Sequence, residues 1–361
     1  MPEPLTDRQA YLILNSIPDL GPVGVTELLA QSGGDPRAVL AGLGDWRRHF
    51  DLAREERLMA EHGVDFITRA DAAFPRLLRE IHTPPIGLYR RGTYAFGQAC
   101  IAVIGSRRST HYGREVAHRL GAELAALGFC VVSGLARGID TAAHEGALSV
   151  GGKTAGVLGT GPDIVFPPEN GELFRRVAEA GAVLSEFGFG RPGDKQSFPI
   201  RNRIVSGMSE AVVVVESAAN GGAMITARLA GEQGRTLFAV PGRIDQPTSD
   251  GCHQLIRDGA TLLTSVDDII SELNYLGGLR PGPILAKGSA ADPAQRVFSP
   301  LTADEATLLA CFEGGEILAA DALAAKTGFR SSQLSALLMM LELKRLLVKR
   351  LDGAYEASSP K

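Results

Sequence analysis

Short apolar runs alternate with segments of helical periodicity through the middle of the chain. Six runs rich in Val, Ile, Leu and Ala have the composition of strands that are buried on both faces, and they cover residues 100–104, 129–132, 155–158, 183–186, 211–216 and 236–240. Segments with helical spacing, such as 114–127 and 141–148, lie between them. This alternation predicts an α/β fold with a doubly wound, mostly parallel sheet, which binds ligands beyond the carboxyl ends of its strands.

The two ends of the chain have a different pattern. Residues 5 to about 65 predict short helices, with Thr6 as an N-cap and an apolar-Gly-x-x-Gly turn at 21–24. Such a turn is found in helix-hairpin-helix motifs, which hold DNA phosphates, but a helical packing module explains it equally well. From Thr302 onward the pattern predicts three short helices and a hairpin over 346–355, which is the order of a winged helix. Its third helix is rich in Leu and Met, which favours packing or partner binding over DNA binding.

These patterns divide the chain into four predicted segments. Residues 1–70 are predicted as a small helical domain, similar to SAM or helix-hairpin-helix domains, and residues 71–277 as the sheet domain with a proline-rich connector at its start. Residues 278–299 have the composition of a flexible linker, and residues 300–361 are predicted as a winged-helix-like domain.

Composition limits the functions that remain. The 361 residues are 45% hydrophobic and 22% charged, with a formal net charge of −4, so any site for a polyanion must be a local concentration of positive charge. No apolar run approaches the roughly 20 residues of a membrane span, and the N-terminus does not resemble a signal peptide, so we expect a cytoplasmic protein without membrane contact. The four cysteines are far apart, and we expect neither a metal nor another cofactor.

The first candidate site is the turn after the strand at 100–104. Gly105, Ser106, Arg107 and Arg108 join this strand to a predicted helix. The start of a helix favours an anion, and the two arginines add positive charge, so the turn predicts a phosphate cradle. An ordinary turn between strand and helix, without a ligand, is the alternative.

The second candidate site lies just before the predicted helix that contains Ile204. Lys195, Arg201 and Arg203 surround Phe198 within nine residues. Cations together with an aromatic ring are typical of single-stranded nucleic acid sites, because the ring stacks on a base while the cations hold phosphates. The alternative is a surface loop in which Phe198 is a core anchor and the arginines form internal ion pairs.

Other motifs give weaker indications. Gly152-Lys153-Thr154 resembles the end of a phosphate-binding loop, but the required earlier glycine is missing and a helix precedes it, so we reject nucleotide hydrolysis. Asp140 is predicted to cap the helix that begins at Thr141. His144 is predicted to be a packing or surface residue of that helix.

The motifs together resemble the DNA-processing protein A (DprA/Smf) family. The matching motifs, in order, are Gly105-Ser106-Arg107 with Tyr112-Gly113, the segment 133–144, Phe198-Pro199-x-Arg201-Asn202-Arg203-Ile204, and Val240-Pro241-Gly242. The resemblance covers about residues 70–275. It implies a Rossmann-like sheet domain, and the predicted end domains are variants that the family uses.

The resemblance also implies a function. It implies a protein of natural transformation and competence that binds and protects incoming single-stranded DNA, forms a homodimer and loads the RecA recombinase for recombination. By motif, Arg107 would hold phosphate, Lys195 and Phe198 would supply charge and stacking, and the residues lining the pocket would be Arg201, Asn202 and Arg203, with Asn220 near its rim. The segment 217–224 lacks the Ser-Gly-Ser/Thr that is usual in the family.

The competing class is an enzyme. Nucleotide phosphoribohydrolases of the LOG type use the same kind of sheet and carry a Pro-Gly-Gly-x-Gly-Thr-x-x-Glu loop. In this chain Gly221-Gly222 lack both the preceding proline and the following catalytic glutamate. We therefore expect a DNA-binding protein and not an enzyme.

Overall fold

The strands expected in the middle of the chain form one sheet in the computed structural model of the protein, which describes residues 4–275, 301–312, 316–344, 346–350 and 353–357. The described residues fall into two units, one within Met1–Gly288 and the other within Ser289–Lys361. The linker predicted over 278–299 lies outside the described residues.

The sheet of the first unit has nine strands. In chain order they are β1 (Val64–Thr68), β2 (Gly87–Arg91), β3 (Cys100–Ile104), β4 (Cys130–Ser133), β5 (Thr154–Leu158), β6 (Ala182–Ser185), β7 (Ala211–Val214), β8 (Thr236–Ala239) and β9 (Thr261–Leu262). Their spatial order is β1-β2-β6-β5-β4-β3-β7-β8-β9. The seven strands β3 to β9 are parallel to one another. The strands β1 and β2 form an antiparallel pair, and β2 joins β6 in antiparallel orientation at one edge of the sheet.

Helices cover both faces of the parallel part of this sheet. They are α5 (His111–Ala126), α6 (Ile139–Ser149), α7 (Gly171–Ala180), α8 (Ser197–Gly207), α9 (Gly222–Glu232), α10 (Asp250–Arg257) and α11 (Val266–Tyr275). Residues of α5, α6 and α11 pack on one face, against Ile101, Val103 and Val213. Residues of α8, α9 and α10 pack on the other, against Ala102, Ile104 and Val212, which explains why these strands are apolar at nearly every position.

Four helices precede the sheet: α1 (Asp7–Leu14), α2 (Pro22–Gln31), α3 (Pro36–Gly42) and α4 (Leu52–His62). Thr6 caps α1 as predicted, and Gln9 completes a capping box. Ile13, Val25 and Val39 share a small core with Ile86 of the connector. The strands β1 and β2 lie on either side of the domain boundary predicted at residue 70, and that boundary stays a prediction.

The second unit has the order of elements of a winged helix. It contains α12 (Ala303–Ala310), β10 (Ile317–Leu318), α13 (Ala320–Thr327), α14 (Ser331–Leu343), β11 (Leu347–Lys349) and β12 (Tyr355–Ala357), with the sheet order β10-β12-β11. Leu308, Leu323 and Leu338 lie in its core. The predicted fold class is confirmed for both units. Across all the ranges the structure describes, no helix combines the length and apolar character that crossing a membrane requires.

Candidate nucleic-acid interface

A cavity opens at the carboxyl ends of β3 and β7, where the order of the strands reverses. The chain passes from β3 through α5 to β4 on one side, and from β7 through α9 to β8 on the other. Doubly wound sheets bind ligands in the crevice at such a switch point. The cavity has a volume of about 530 Å³, and the turn after β3, the helix α8 and the start of α9 line it.

Most of the residues predicted to contact DNA line this cavity. They are Gly105, Ser106, Arg107, Arg108, Lys195, Phe198, Arg201 and Asn202. Arg203 and Asn220 do not line it: Arg203 faces Glu186, and Asn220 is an exposed residue of the turn before α9. The structure therefore brings together two segments that lie about 90 residues apart, and the DNA contacts themselves stay predictions.

The turn after β3 is tied to the end of β7 by Glu216. The backbone N–H of Ser106 donates to the Glu216 carbonyl oxygen at 2.7 Å. The buried Glu216 carboxylate accepts the backbone N–H of Thr110 at 2.8 Å and also the Thr110 hydroxyl. Gly113 is required here, because a Cβ atom at that position would lie 2.3 Å from the Glu216 carboxyl carbon.

Glu216 changes the interpretation of the phosphate cradle. The sequence predicts that the start of α5 faces a bound anion, but the Glu216 carboxylate already lies at this helix start, next to its N-cap Thr110. A carboxylate satisfies the same helix dipole that a phosphate would. The turn therefore contributes the side chains of Arg107 and Arg108, both exposed, rather than the amides of α5.

The start of α9 is open in a way that the start of α5 is not. Its N-cap is Gly221, which offers no side chain to the first-turn amides, and Gly221, Gly222 and Ala223 all line the cavity. Uncapped amides and the positive end of the helix dipole together favour an anion at this position. In the sequence, the glycines at 221–222 are the signal for this open helix start.

Most of the second basic segment belongs to a helix, and only Lys195 among its charged residues precedes it. The helix α8 begins at Ser197, and Asp194 accepts the backbone N–H groups of Gln196 and Ser197 at 2.8 and 2.7 Å. Helical spacing then places Phe198, Arg201 and Asn202 on the side that lines the cavity. The prediction that this segment precedes the helix therefore holds for Lys195 and is wrong for Phe198, Arg201 and Arg203, because α8 begins before Pro199 and proline is tolerated in a first turn.

Phe198 and Arg107 contact each other across the cavity. The guanidinium carbon of Arg107 lies 5.1 Å from the centre of the Phe198 ring, within range of a cation–π interaction. The half-buried ring also packs against Phe166, with 5.3 Å between the ring centres. The cation of the first segment and the aromatic ring of the second therefore form one surface.

Arg201 is the buried cation of the cavity. Its residue is only 6% exposed, and its guanidinium lies so close over Gly134 that a Cβ atom there would be 1.4 Å from Nη1. Its Nε is buried and has no hydrogen-bond partner among the described residues. Burial lowers the pKa of Arg201, and the negative charge of Asp140 partly opposes this shift. A buried guanidinium with an unpaired Nε has a favourable interaction available for an anionic ligand.

Asp140 supports the loop on which Arg201 rests. Its Oδ2 accepts the backbone N–H groups of Gly134 and Ala136 at 3.0 and 3.3 Å. The prediction that Asp140 caps α6 is wrong, because the N-cap is Gly138 and Asp140 lies inside the first turn. Burial raises the pKa of Asp140, while Arg201 opposes that shift.

His144 is buried behind this site, as predicted for a packing residue. Its Nδ1 lies 2.6 Å from the hydroxyl of Thr154, and burial, with a smaller effect of the Arg201 charge, lowers the pKa of His144 to about 3. The ring is therefore neutral at physiological pH.

Comparison with known proteins agrees with the motifs. The family model described as DNA recombination-mediator protein A matches residues 65–274, and the model described as DprA winged helix domain matches residues 290–354. The chain belongs to the DNA-processing protein A family.

The relatives and solved structures show how far this similarity extends. The chain is 41% identical over 210 residues to DNA processing protein DprA of Streptococcus pneumoniae, covering 57% of this chain and 73% of that protein. It is 38% identical over 228 residues to Protein Smf of Synechocystis, covering 62% of this chain and 56% of that protein.

Two solved structures of the family resemble the fold. The X-ray structure of DNA processing protein A from Streptococcus pneumoniae matches with a TM-score of 0.64 and 31% identity, over 75% of this chain and 99% of that one. A structure of DNA processing protein A from Helicobacter pylori, reported for its single-stranded DNA binding mode, matches with a TM-score of 0.53 and 31% identity, over 58% of this chain and 96% of that one.

Proposed function

We propose that the cavity between β3 and β7 binds single-stranded DNA through its phosphates. The observation that carries this proposal is Arg201, a buried guanidinium whose Nε has no hydrogen-bond partner among the described residues. It lies in the wall of a cavity that two other arginines and a lysine, all three exposed, also line. Membership of the family, and the binding of single-stranded DNA by the Helicobacter pylori protein, support the same ligand.

Phosphates would bind at two depths. Arg107 and Lys195 are exposed at the mouth of the cavity, where they can meet a strand that arrives from solution. Arg201 lies deeper in the cavity, where the uncapped start of α9 supplies further hydrogen-bond donors from its backbone. This arrangement holds the charged backbone of the strand and does not select particular bases.

The bases would stack on the surface that Phe198 and Arg107 form. A guanidinium plane and an aromatic ring both stack on a nucleobase, and neither discriminates strongly among the four bases. Bases in a duplex are already stacked on each other and cannot reach this surface. The site therefore favours single strands over duplexes.

The test is a titration of fluorescent oligonucleotides with the full chain at several salt concentrations. If Arg107, Lys195 and Arg201 each hold one phosphate, a plot of the logarithm of the binding constant against the logarithm of salt concentration should have a slope of roughly −2. Each phosphate on a single strand contributes about −0.7 to this slope. A duplex of the same sequence should bind more weakly at every salt concentration. Equal affinity for both forms would contradict the proposal.

We also propose that the protein acts in natural transformation and recombination, in the cytoplasm, where it would protect incoming single strands and load RecA. Relatives named as DNA processing proteins support this role. On DNA coated with single-strand binding protein, the wild-type chain should speed the formation of RecA filaments. An equal effect from an Arg107→Ala, Lys195→Ala double variant would contradict the link to this site.

A homodimer is the assembly that we propose, on the basis of the family. Leu262 is a suitable contact, because it is 45% exposed on β9, the edge strand of the sheet. Leu263 beside it is buried and belongs to the core. Light scattering should give twice the chain mass at micromolar concentration, and Leu262→Arg should reduce it to the monomer mass. A monomer mass for the wild-type chain would refute the proposal.

Catalysis is not part of the proposed function. The carboxylate that lines the cavity, Asp140, accepts two backbone N–H groups, and Glu216 nearby is engaged at the start of α5. A phosphoribohydrolase needs a carboxylate that is free to act on the sugar. Incubation with nucleoside monophosphates should release no free base, and release that depends on Asp140 would favour the enzyme.

A further inference from the structure

The segment between β6 and α8 connects the N-terminal helices to the DNA-binding helix. Its first residue, Glu186, forms bonds in both directions. The Glu186 carbonyl oxygen accepts the side-chain amide of Asn15, the residue after α1, at 2.9 Å. The Glu186 carboxylate accepts Nη2 of Arg203 at 2.6 and 2.7 Å. One residue thus bonds to the C-cap residue of α1 and to α8.

A second anchor holds the same segment to α4. The ring of Phe189 packs edge-on against Tyr89, with 5.7 Å between the ring centres. It also contacts His62 at the end of α4, with 5.4 Å between those ring centres. The buried Glu55 carboxylate of α4 accepts the Tyr89 hydroxyl at 2.6 Å. The segment then continues to Lys195, which lines the cavity. The N-terminal helices therefore hold the chain that leads to the DNA site.

Arg203 faces away from that site. Arg201 and Asn202 line the cavity, whereas the Arg203 side chain, 12% exposed, is paired with the Glu186 side chain, 10% exposed. Removing one partner of such a largely buried pair leaves an uncompensated charge and disturbs what the pair holds in place. Here the pair joins α8, two residues from Arg201, to the segment that follows β6.

We propose that Arg203 is a positioning residue and that its pair with Glu186 makes the N-terminal helices a support for the DNA site. Arg203 holds α8 and contacts no phosphate. This inference rests on the proposed binding of single-stranded DNA. It also gives the N-terminal helices a role that requires no DNA contact of their own.

Glu186→Gln separates this proposal from a direct contact because the two predict opposite signs. If Arg203 held phosphate, Glu186 would compete with DNA for it, so Glu186→Gln would strengthen binding. If Arg203 positions α8, Glu186→Gln weakens single-stranded DNA binding by roughly tenfold, a common coupling between contacting residues, and leaves the salt slope unchanged. Glu179→Gln is the matched control, since it removes a carboxylate from an exposed pair with Arg175 on α7.

Two further variants complete the experiment. Arg203→Lys keeps the charge opposite Glu186 and should bind within about threefold of wild type, whereas Arg203→Met should bind like Glu186→Gln. Asn15→Ala removes only the amide bond to Glu186 and should weaken binding by about two- to tenfold with an unchanged slope. Asn15→Ala is the decisive variant if thermal melting shows that the variants of Arg203 and Glu186 do not fold.

The outcomes separate this inference from the proposed function. Tighter binding by Glu186→Gln, a flatter slope in Arg203→Met, or wild-type affinity in Asn15→Ala would overturn the positioning role. Absence of single-stranded DNA binding by the wild-type chain would instead overturn the proposed function.

Discussion

Gly134→Ala is the substitution that tests the role of Arg201 without removing any charge. An added Cβ atom would lie 1.4 Å from Arg201 Nη1 and 2.3 Å from Cζ. The guanidinium would have to move by about 2 Å to reach the roughly 3.5 Å of ordinary van der Waals contact. A hydrogen bond to a phosphate at Nη1 does not survive such a shift, and a charged hydrogen bond contributes about 1.5–3 kcal/mol. We therefore expect single-stranded DNA affinity to fall by about 10- to 150-fold.

The assay is fluorescence anisotropy with a labelled single-stranded oligonucleotide, at a temperature well below the melting transition of each variant. Gly231→Ala is the matched control, because a Cβ atom at Gly231 in α9 meets nothing within 4 Å. Overpacking should also lower the stability of Gly134→Ala by about 1–3 kcal/mol, which thermal melting measures separately. If folded Gly134→Ala bound DNA as tightly as wild type, Arg201 would not hold a phosphate from its observed position.

Three further predictions follow from the site and its surroundings. Phe198→Ala should weaken single-stranded DNA binding by about 1–3 kcal/mol and leave the salt slope nearly unchanged, because stacking releases no counterions; an unfolded variant would show that the ring is a core anchor. His144 is neutral in the folded protein, where its pKa is about 3, and it can be protonated once the protein unfolds. The free energy of unfolding should therefore fall by up to roughly 2 kcal/mol between pH 7 and pH 5. Denaturant titrations of His144→Gln should show a smaller fall. Removal of residues 296–361 should leave most single-stranded DNA affinity intact in the same anisotropy assay, and a loss of about tenfold or more would place DNA binding in the winged helix.

The sheet could be predicted from the sequence because its strands are buried on both faces. Each of the six predicted apolar runs contains an observed strand or most of one, for example β7 at Ala211–Val214 within the run 211–216. Three strands of the sheet were not predicted: the antiparallel strands β1 and β2 and the two-residue strand β9. The side chains of β1 are mostly buried, but Asp65 breaks its apolar pattern and pairs with Arg90 of β2. Such a pair becomes visible only once the two strands are neighbours.

The candidate site could be predicted only in part, because its supporting contacts join residues far apart in the chain. The strand ends and the two basic segments were visible as local patterns. The contact between Glu216 and Thr110 spans 106 residues, and nothing near either residue signals it. The direction of Arg203 depends on the ion pair with Glu186, so the family motif alone placed Arg203 in the pocket with Arg201.

The salt dependence of single-stranded DNA binding by Arg107→Ala tests the central claim most directly, with Arg228→Ala, an exposed arginine of α9 paired with Glu232, as the control. If the cavity between β3 and β7 holds the strand by its phosphates, Arg107→Ala should weaken binding at low salt and reduce the slope from roughly −2 by about 0.7, while Arg228→Ala keeps the wild-type slope. If Arg107→Ala and wild type bind alike at every salt concentration, the strand does not bind in this cavity.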